Sequence, residues 1–213
     1  MGWQVLGHKA ERDVNQSTLT PDIRGADALL EEAALIRAVQ RGSQEEYRVL
    51  VMRYKDMVFN LIKRQVGQHH VAEDIAQEVF VRAYFGIKKF RLDSKFSTWL
   101  TRIALNQTNS YFSTKRYKQQ SRTESFDGKL HEMSDIEKKA ETEEEAEKNA
   151  MLATFREALG CLKPKFRDVL VLCGLEGRSY QEAAEILGVP VGTIRSRLNK
   201  ARLLVKDEIH NNS

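Results

Sequence analysis

The sequence predicts an all-α protein of two helical domains joined by a flexible acidic linker. Apolar residues recur at three- and four-residue spacing through most of the chain, and alternating β-branched runs are scarce. Prolines number 3 and glycines 12 in 213 residues, too few to punctuate a β-rich fold. Charged residues make up 30% of the chain, high but ordinary for a helical protein. With 41% hydrophobic residues the chain can build a core, and its length suits one or two domains. A net charge of +4 is too small to imply nucleic acid by itself, so the placement of charge has to decide.

Residues 1–26 show no sustained periodicity and read as a flexible extension. The first domain, 27–120, opens with a helix from Leu29 that stops at Gly42. Ser43 and Glu46 have capping-box spacing and start a long helix through Tyr47, Leu50, Val58 and Ile62 to Gly67. A third helix, Val71 to Phe85, carries Ile75, Val79 and Ala83 inward and Asp74, Gln77 and Glu78 as one polar patch. Phe90 to Lys95 reads as a loop, and a fourth helix runs from Phe96 to Lys118, ending in the basic cluster Lys115, Arg116 and Lys118. Residues 121–147, dominated by Glu and poor in aromatics, make the linker. The second domain, 148–213, begins with helices over Ala150–Leu162 and Lys165–Gly174.

The C-terminal stretch is the most informative. Ser179 and Glu182 form a capping box, Ala183, Ala184, Ile186 and Leu187 give a small inner face, and Gly188 with Pro190 ends the helix. The next helix, Val191 to Ile209, buries Val191, Ile194, Leu198, Ala201 and Val205. Thr193, Arg195, Ser196, Arg197, Asn199, Lys200 and Arg202 are left for other faces. This is a helix-turn-helix with a basic second helix, whose N-terminal part enters the major groove in such motifs. Arginine can fork onto guanine, while Ser and Asn can bond bases or phosphates. A solvated face on an ordinary bundle is the plainer alternative.

Other function classes find little support. Cys161 and Cys173 lie in apolar helical segments without CxxC spacing and read as buried free thiols of a reducing compartment. No apolar run approaches the ~20 residues that span a bilayer, and no secretory signal is visible, so a cytoplasmic location is expected. His69 and His70 lack a third ligand at metal spacing, no acid–base constellation is visible, and neither metal, cofactor nor enzymatic activity is expected.

Two motif sets resemble the extracytoplasmic-function (ECF) class of sigma-70 factors, the initiation subunits of bacterial RNA polymerase. The first comprises Asp74-Ile75-Ala76-Gln77-Glu78-Val79-Phe80-Val81-Arg82-Ala83, Phe90-Arg91, Lys95-Phe96-Ser97-Thr98-Trp99-Leu100 and Arg102-Ile103-Ala104-Leu105-Asn106. The second comprises Gly177, Ser179 to Ala184 and Pro190 to Arg197. The resemblance implies that Asp74, Gln77 and Glu78 dock on the clamp coiled coil of core polymerase; a surface ion-pair patch is the alternative. It implies that Phe90 and Asn106 capture a flipped base of the −10 element, with Lys115, Arg116 and Lys118 nearby, although Phe90 also suits a core plug beneath its loop. It assigns −35 reading to the basic helix, and it implies an anti-sigma partner, membrane-associated, that holds the factor inactive. The aromatic pair used for strand opening by housekeeping members is replaced by Arg102 and Ile103. The acidic linker resembles the segment that threads the polymerase's RNA exit path. A self-sufficient helix-turn-helix regulator is the rival reading, and it leaves the first motif set unexplained.

Overall fold

The computed structural model describes residues 23–114 and 143–211, with side chains over 30–114 and 148–210. Among these residues every regular element is helical. Helix α1 spans Ile23–Gln40, α2 Gln44–Val66, α3 His69–Gly86 and α4 Phe96–Ser113, with a 3₁₀ turn at Ile87–Lys89. Helix α5 spans Glu143–Cys161, α6 Pro164–Leu170, α7 Tyr180–Leu187 and α8 Val191–Asn211, with a π-helical segment at Val171–Leu175.

Residues 1–34 and 35–213 are separate units. Within the larger one, α2, α3 and α4 pack on one another through Leu50, Val58 and Ile62, through Ala72, Val79 and Ala83, and through Phe96, Leu100 and Ala104. Alanines on α3 bring its backbone close to both neighbours, which lets the third helix fit between larger side chains. The C-terminal helices pack around α8, whose Ile194, Leu198, Ala201 and Val205 meet α5, α6 and α7.

Helix ends test the turn chemistry. Ser179 and Glu182 form the full capping box: the Ser179 hydroxyl accepts from the Glu182 N–H at 3.2 Å, and the Glu182 carboxylate accepts from the Ser179 N–H at 2.9 Å. Gly188 then takes φ 64°, ψ 38°, the left-handed turn that an L side chain resists. Gly67 closes α2 at φ 81°, and a Cβ there would lie 2.9 Å from Cδ of Arg156.

Several expectations are corrected. Ser43 forms no box; its hydroxyl bonds the Glu46 carboxylate and caps no backbone N–H. Helix α1 begins at Ile23, inside the stretch read as an extension. Helix α4 stops at Ser113 and Thr114 is extended (ψ 149°). There the Ser113 and Thr114 hydroxyls bond back to the Asn109 and Tyr111 carbonyls, the local competition that makes such residues poor helix continuers. Val191 is 39% exposed, because it stands at the first turn of α8 before the helix reaches its neighbours. Cys161 is exposed rather than buried, since it is the last residue of α5. The sequence 121–142, with most of the expected linker, lies outside the described residues.

Candidate nucleic-acid interface

Helix α8 presents its basic residues in two groups. Arg195, Asn199, Arg202 and Lys206 are exposed and fall at four-, three- and four-residue steps, one stripe along the outer face. Ser196 and Lys200 are exposed beside it, and the Ser196 hydroxyl is tied to the Thr193 carbonyl at 3.1 Å. Thr193 and Arg197 are half-buried. The charge of Arg197 also reaches Asp168 of α6, where it opposes the upward push of burial. Lys206 completes the stripe and escaped sequence reasoning; continuing the four-three spacing past Arg202 finds it.

The loop between α3 and α4 is anchored from two sides. Phe90 is 6% exposed, with its ring 5.1 Å from that of Trp99 and 5.8 Å from that of Phe96. Its carbonyl accepts from the Gln40 side-chain amide at 2.7 Å, and the same amide bonds the Ile87 carbonyl at 2.9 Å. Phe90 thus occupies the core position, and its ring would have to leave Trp99 to meet a base. Leu92 sits at φ 60°, a conformation that costs a non-glycine residue of order 1 kcal/mol or more and fixes the loop's path. Lys88, Lys89, Arg91 and Lys95 all project to solvent around this plug, a basic rim that a count of charge along the loop would have found.

Asn106 is exposed on α4. It shares a stripe with Arg102 and Asn109, one helical turn to either side. Lys115, Arg116 and Lys118 lie outside the described residues.

Asp74, Gln77 and Glu78 are all exposed on α3. Glu78 pairs with Arg82 at 2.7 Å, leaving Asp74 and Gln77 at the open side of the patch. The same face continues into Val81 and Phe85, which are 50% and 73% exposed. Large apolar side chains next to a polar patch suit a protein partner better than solvent, and position alone, at four and eight residues beyond Gln77, marks them. His69 lies 3.2 Å from Glu73 with its ring edge on Phe59.

The C-terminal helices are held against α2 and α4. Arg102 donates to the carbonyls of Ile186 and Glu185, each at 2.5 Å, at the end of α7. The Asn109 amide donates to Asp168 at 2.8 Å and accepts from Arg167 at 2.7 Å. Arg167 is 3% exposed, stacks 4.2 Å over Phe112, and donates to the carbonyls of Leu159, Gly160 and Leu162, which end α5. Arg64 of α2 bonds the Leu175 carbonyl at 2.6 Å and pairs with Glu176 at 3.3 Å. Burial raises the Asp168 carboxyl to about 6, against the opposing pull of the Asn109 bond and of Arg167 and Arg197.

Comparison with known proteins assigns both halves. Residues 50–117 match the family Sigma-70 region 2, and residues 152–205 match Sigma-70, region 4. The ECF RNA polymerase sigma factor SigW of Bacillus subtilis is 36% identical over 177 residues, covering 82% of this chain and 94% of that protein. The ECF RNA polymerase sigma-E factor of Escherichia coli is 35% identical over 188 residues, covering 84% and 95%. Among solved structures, CnrH in complex with the cytosolic domain of CnrY superposes with a TM-score of 0.57 at 23% identity, over 85% of this chain and 99% of that one, a likeness of fold.

Proposed function

Since the chain belongs to the ECF sigma factors of the sigma-70 family, we propose that it binds core RNA polymerase, reads −10 and −35 promoter elements with its two halves, and is held inactive by an anti-sigma protein. Sigma factors are not enzymes; RNA synthesis is the polymerase's chemistry. Residues 27–120 act as the polymerase and −10 domain and 148–213 as the −35 domain, with 121–147 as the tether. Asp74, Gln77 and Glu78, extended by Val81 and Phe85, meet the polymerase clamp. Asn106 takes a −10 base by its Watson–Crick edge, while Phe90 holds the loop beneath the basic rim and Lys115, Arg116 and Lys118 hold phosphates. Arg195, Ser196 and Asn199 read −35 base edges, and Lys200 and Arg202 hold phosphates. Thr193 and Arg197 set the orientation of α8. No helix among the described residues is long and apolar enough to cross a membrane, and the work proposed is done in the cytoplasm.

The observation that carries this reading is two successive matches to regions 2 and 4 in one chain. Run-off transcription of genomic fragments with purified core polymerase tests it. The wild-type chain should yield discrete transcripts, and Asp74→Arg/Glu78→Arg should lose both transcripts and core binding with helicity intact. A chain that binds specific duplex DNA yet never programs core polymerase would refute the sigma role in favour of a stand-alone regulator.

A further inference from the structure

The loop ahead of α4 is held by a residue that neither motif set contains. Gln40 is the last residue of α1 and lies ahead of the segment 50–117 that matches region 2. Its side-chain amide donates to two loop carbonyls, that of Ile87 at 2.9 Å and that of Phe90 at 2.7 Å. The Ile87 carbonyl also accepts from the Phe90 N–H at 3.0 Å, so the whole turn is gathered on one amide. Gln40 is in turn held firmly. Ile36 and Val39 on the same helix are 1% and 2% exposed. Gly42, at φ 107°, then turns the chain away, with its N–H bonded to the Val39 carbonyl at 2.9 Å and that of Ser43 to the Ala38 carbonyl at 3.1 Å.

The held turn decides what the loop shows to solvent. Beyond Phe90 the chain alternates: Arg91, Asp93 and Lys95 are exposed, while Leu92 and Ser94 are half-buried. That alternation starts at the Phe90 peptide, and rotating this peptide would re-aim every side chain after it. Lys95 caps the start of α4, and Trp99, Arg102 and Asn106 follow at four-, three- and four-residue steps along one stripe. Lys95 and Asn106 therefore stand about 16 Å apart on one face, at ~1.5 Å per residue. A strand whose base reaches Asn106 passes the exposed side of the loop.

We propose that Gln40 is a positioning residue for −10 reading: by holding the Ile87 and Phe90 carbonyls it sets the loop that lies beside Asn106 on the melted strand; this rests on the sigma reading above. Gln40 addresses backbone alone, so it aims the loop whatever side chains the loop carries. The position demands a donor. Both partners are carbonyls, which a carboxylate or a thioether of the same length cannot serve. Phe90 is 6% exposed, so without the amide its carbonyl finds a new donor only if the loop moves toward water.

Promoters recovered from the run-off assay supply the probes, a single-stranded −10 oligonucleotide and a −35 duplex. Gln40→Met keeps the side chain's length and removes its donors. Core polymerase carrying this variant should bind the −10 oligonucleotide at least fivefold more weakly than with wild type. Core affinity and −35 duplex binding should stay within twofold, with helicity unchanged. Gln40→Lys, which restores donors at that reach, should recover most of the loss. Should Gln40→Met fail to fold, Gln40→Asn, whose amide falls one methylene short, carries the same comparison. A folded variant that binds the −10 strand within fivefold of wild type overturns the proposal. So does an equal loss on the −35 duplex, or a Lys variant as weak as the Met one. A wild-type chain that never programs core polymerase refutes the sigma reading, and this role with it.

Discussion

Replacing Arg167 by Met should destabilise the C-terminal half by about 3–5 kcal/mol, although the swap keeps most of the apolar volume. The guanidinium is 3% exposed and makes four hydrogen bonds, three to the carbonyls that end α5 and one to Asn109. Bonds involving a charged donor contribute ~1.5–3 kcal/mol each, and stacking on Phe112 adds ~0.5–2 kcal/mol. That gross figure is reduced by the several kcal/mol needed to strip water from the guanidinium, leaving the smaller net value. Exchanging a complete buried ion pair for apolar residues is often neutral, but here the acceptors remain and are left without a donor. Arg167→Lys keeps a charge without the planar fork, and should fall between the two. Urea denaturation followed by circular dichroism, with fluorescence from Trp99 reporting the first half, measures the loss. A Met variant within about 1 kcal/mol of wild type, at unchanged m, would refute the view that this one side chain joins α5, α6 and α4.

Asp168 binds its proton more tightly folded than unfolded, since its carboxyl is raised from 3.8 to about 6. Its contribution to stability should therefore fall as pH rises from about 4 to about 6 and stay flat above; Asp168→Asn should remove that slope in melts across this range. Ser179→Ala should cost about 1 kcal/mol, because it removes the acceptor for the Glu182 N–H, and a melt unchanged from wild type would contradict the capping geometry. The Ser179 backbone N–H and hydroxyl, with Arg178, hold the Glu182 carboxyl below its usual value, so the wild-type cap should persist at mildly acid pH and fail only as pH falls through that lowered value. Gln65 is 1% exposed and its side-chain carbonyl has no partner, so Gln65→Met should be neutral or stabilising by about 1 kcal/mol in the same assay. Arg195→Ala should relax preference at one −35 position for about 1–3 kcal/mol, whereas Arg202→Ala should weaken all sequences alike and lower the salt slope by about one; competition binding against a randomised −35 library separates them.

What the sequence determined by itself is local. Helical periodicity places nearly every helix, because burying one face of a helix demands the same spacing wherever the helix ends up. Ser179 with Glu182, and Gly188 with Pro190, specify the helix-turn-helix completely, since each acts within one turn of backbone. The same spacing gave the wrong answer at Ser43 and Glu46, where the two side chains bond each other instead. The stripe of α8 was legible in outline, but spacing does not reveal that Arg197 is half-buried and that its charge reaches Asp168 on another helix. Phe90 read from sequence as a core plug more readily than as a base contact, and Trp99, Phe96 and Gln40 around it bear that out. Only tertiary structure decided how the halves meet: Arg102 reads as a mere departure from a motif until the carbonyls of α7 arrive beside it. Those contacts join residues more than fifty positions apart. Pairings of that kind leave no periodic trace, because they depend on which surfaces remain after each half has buried its own core.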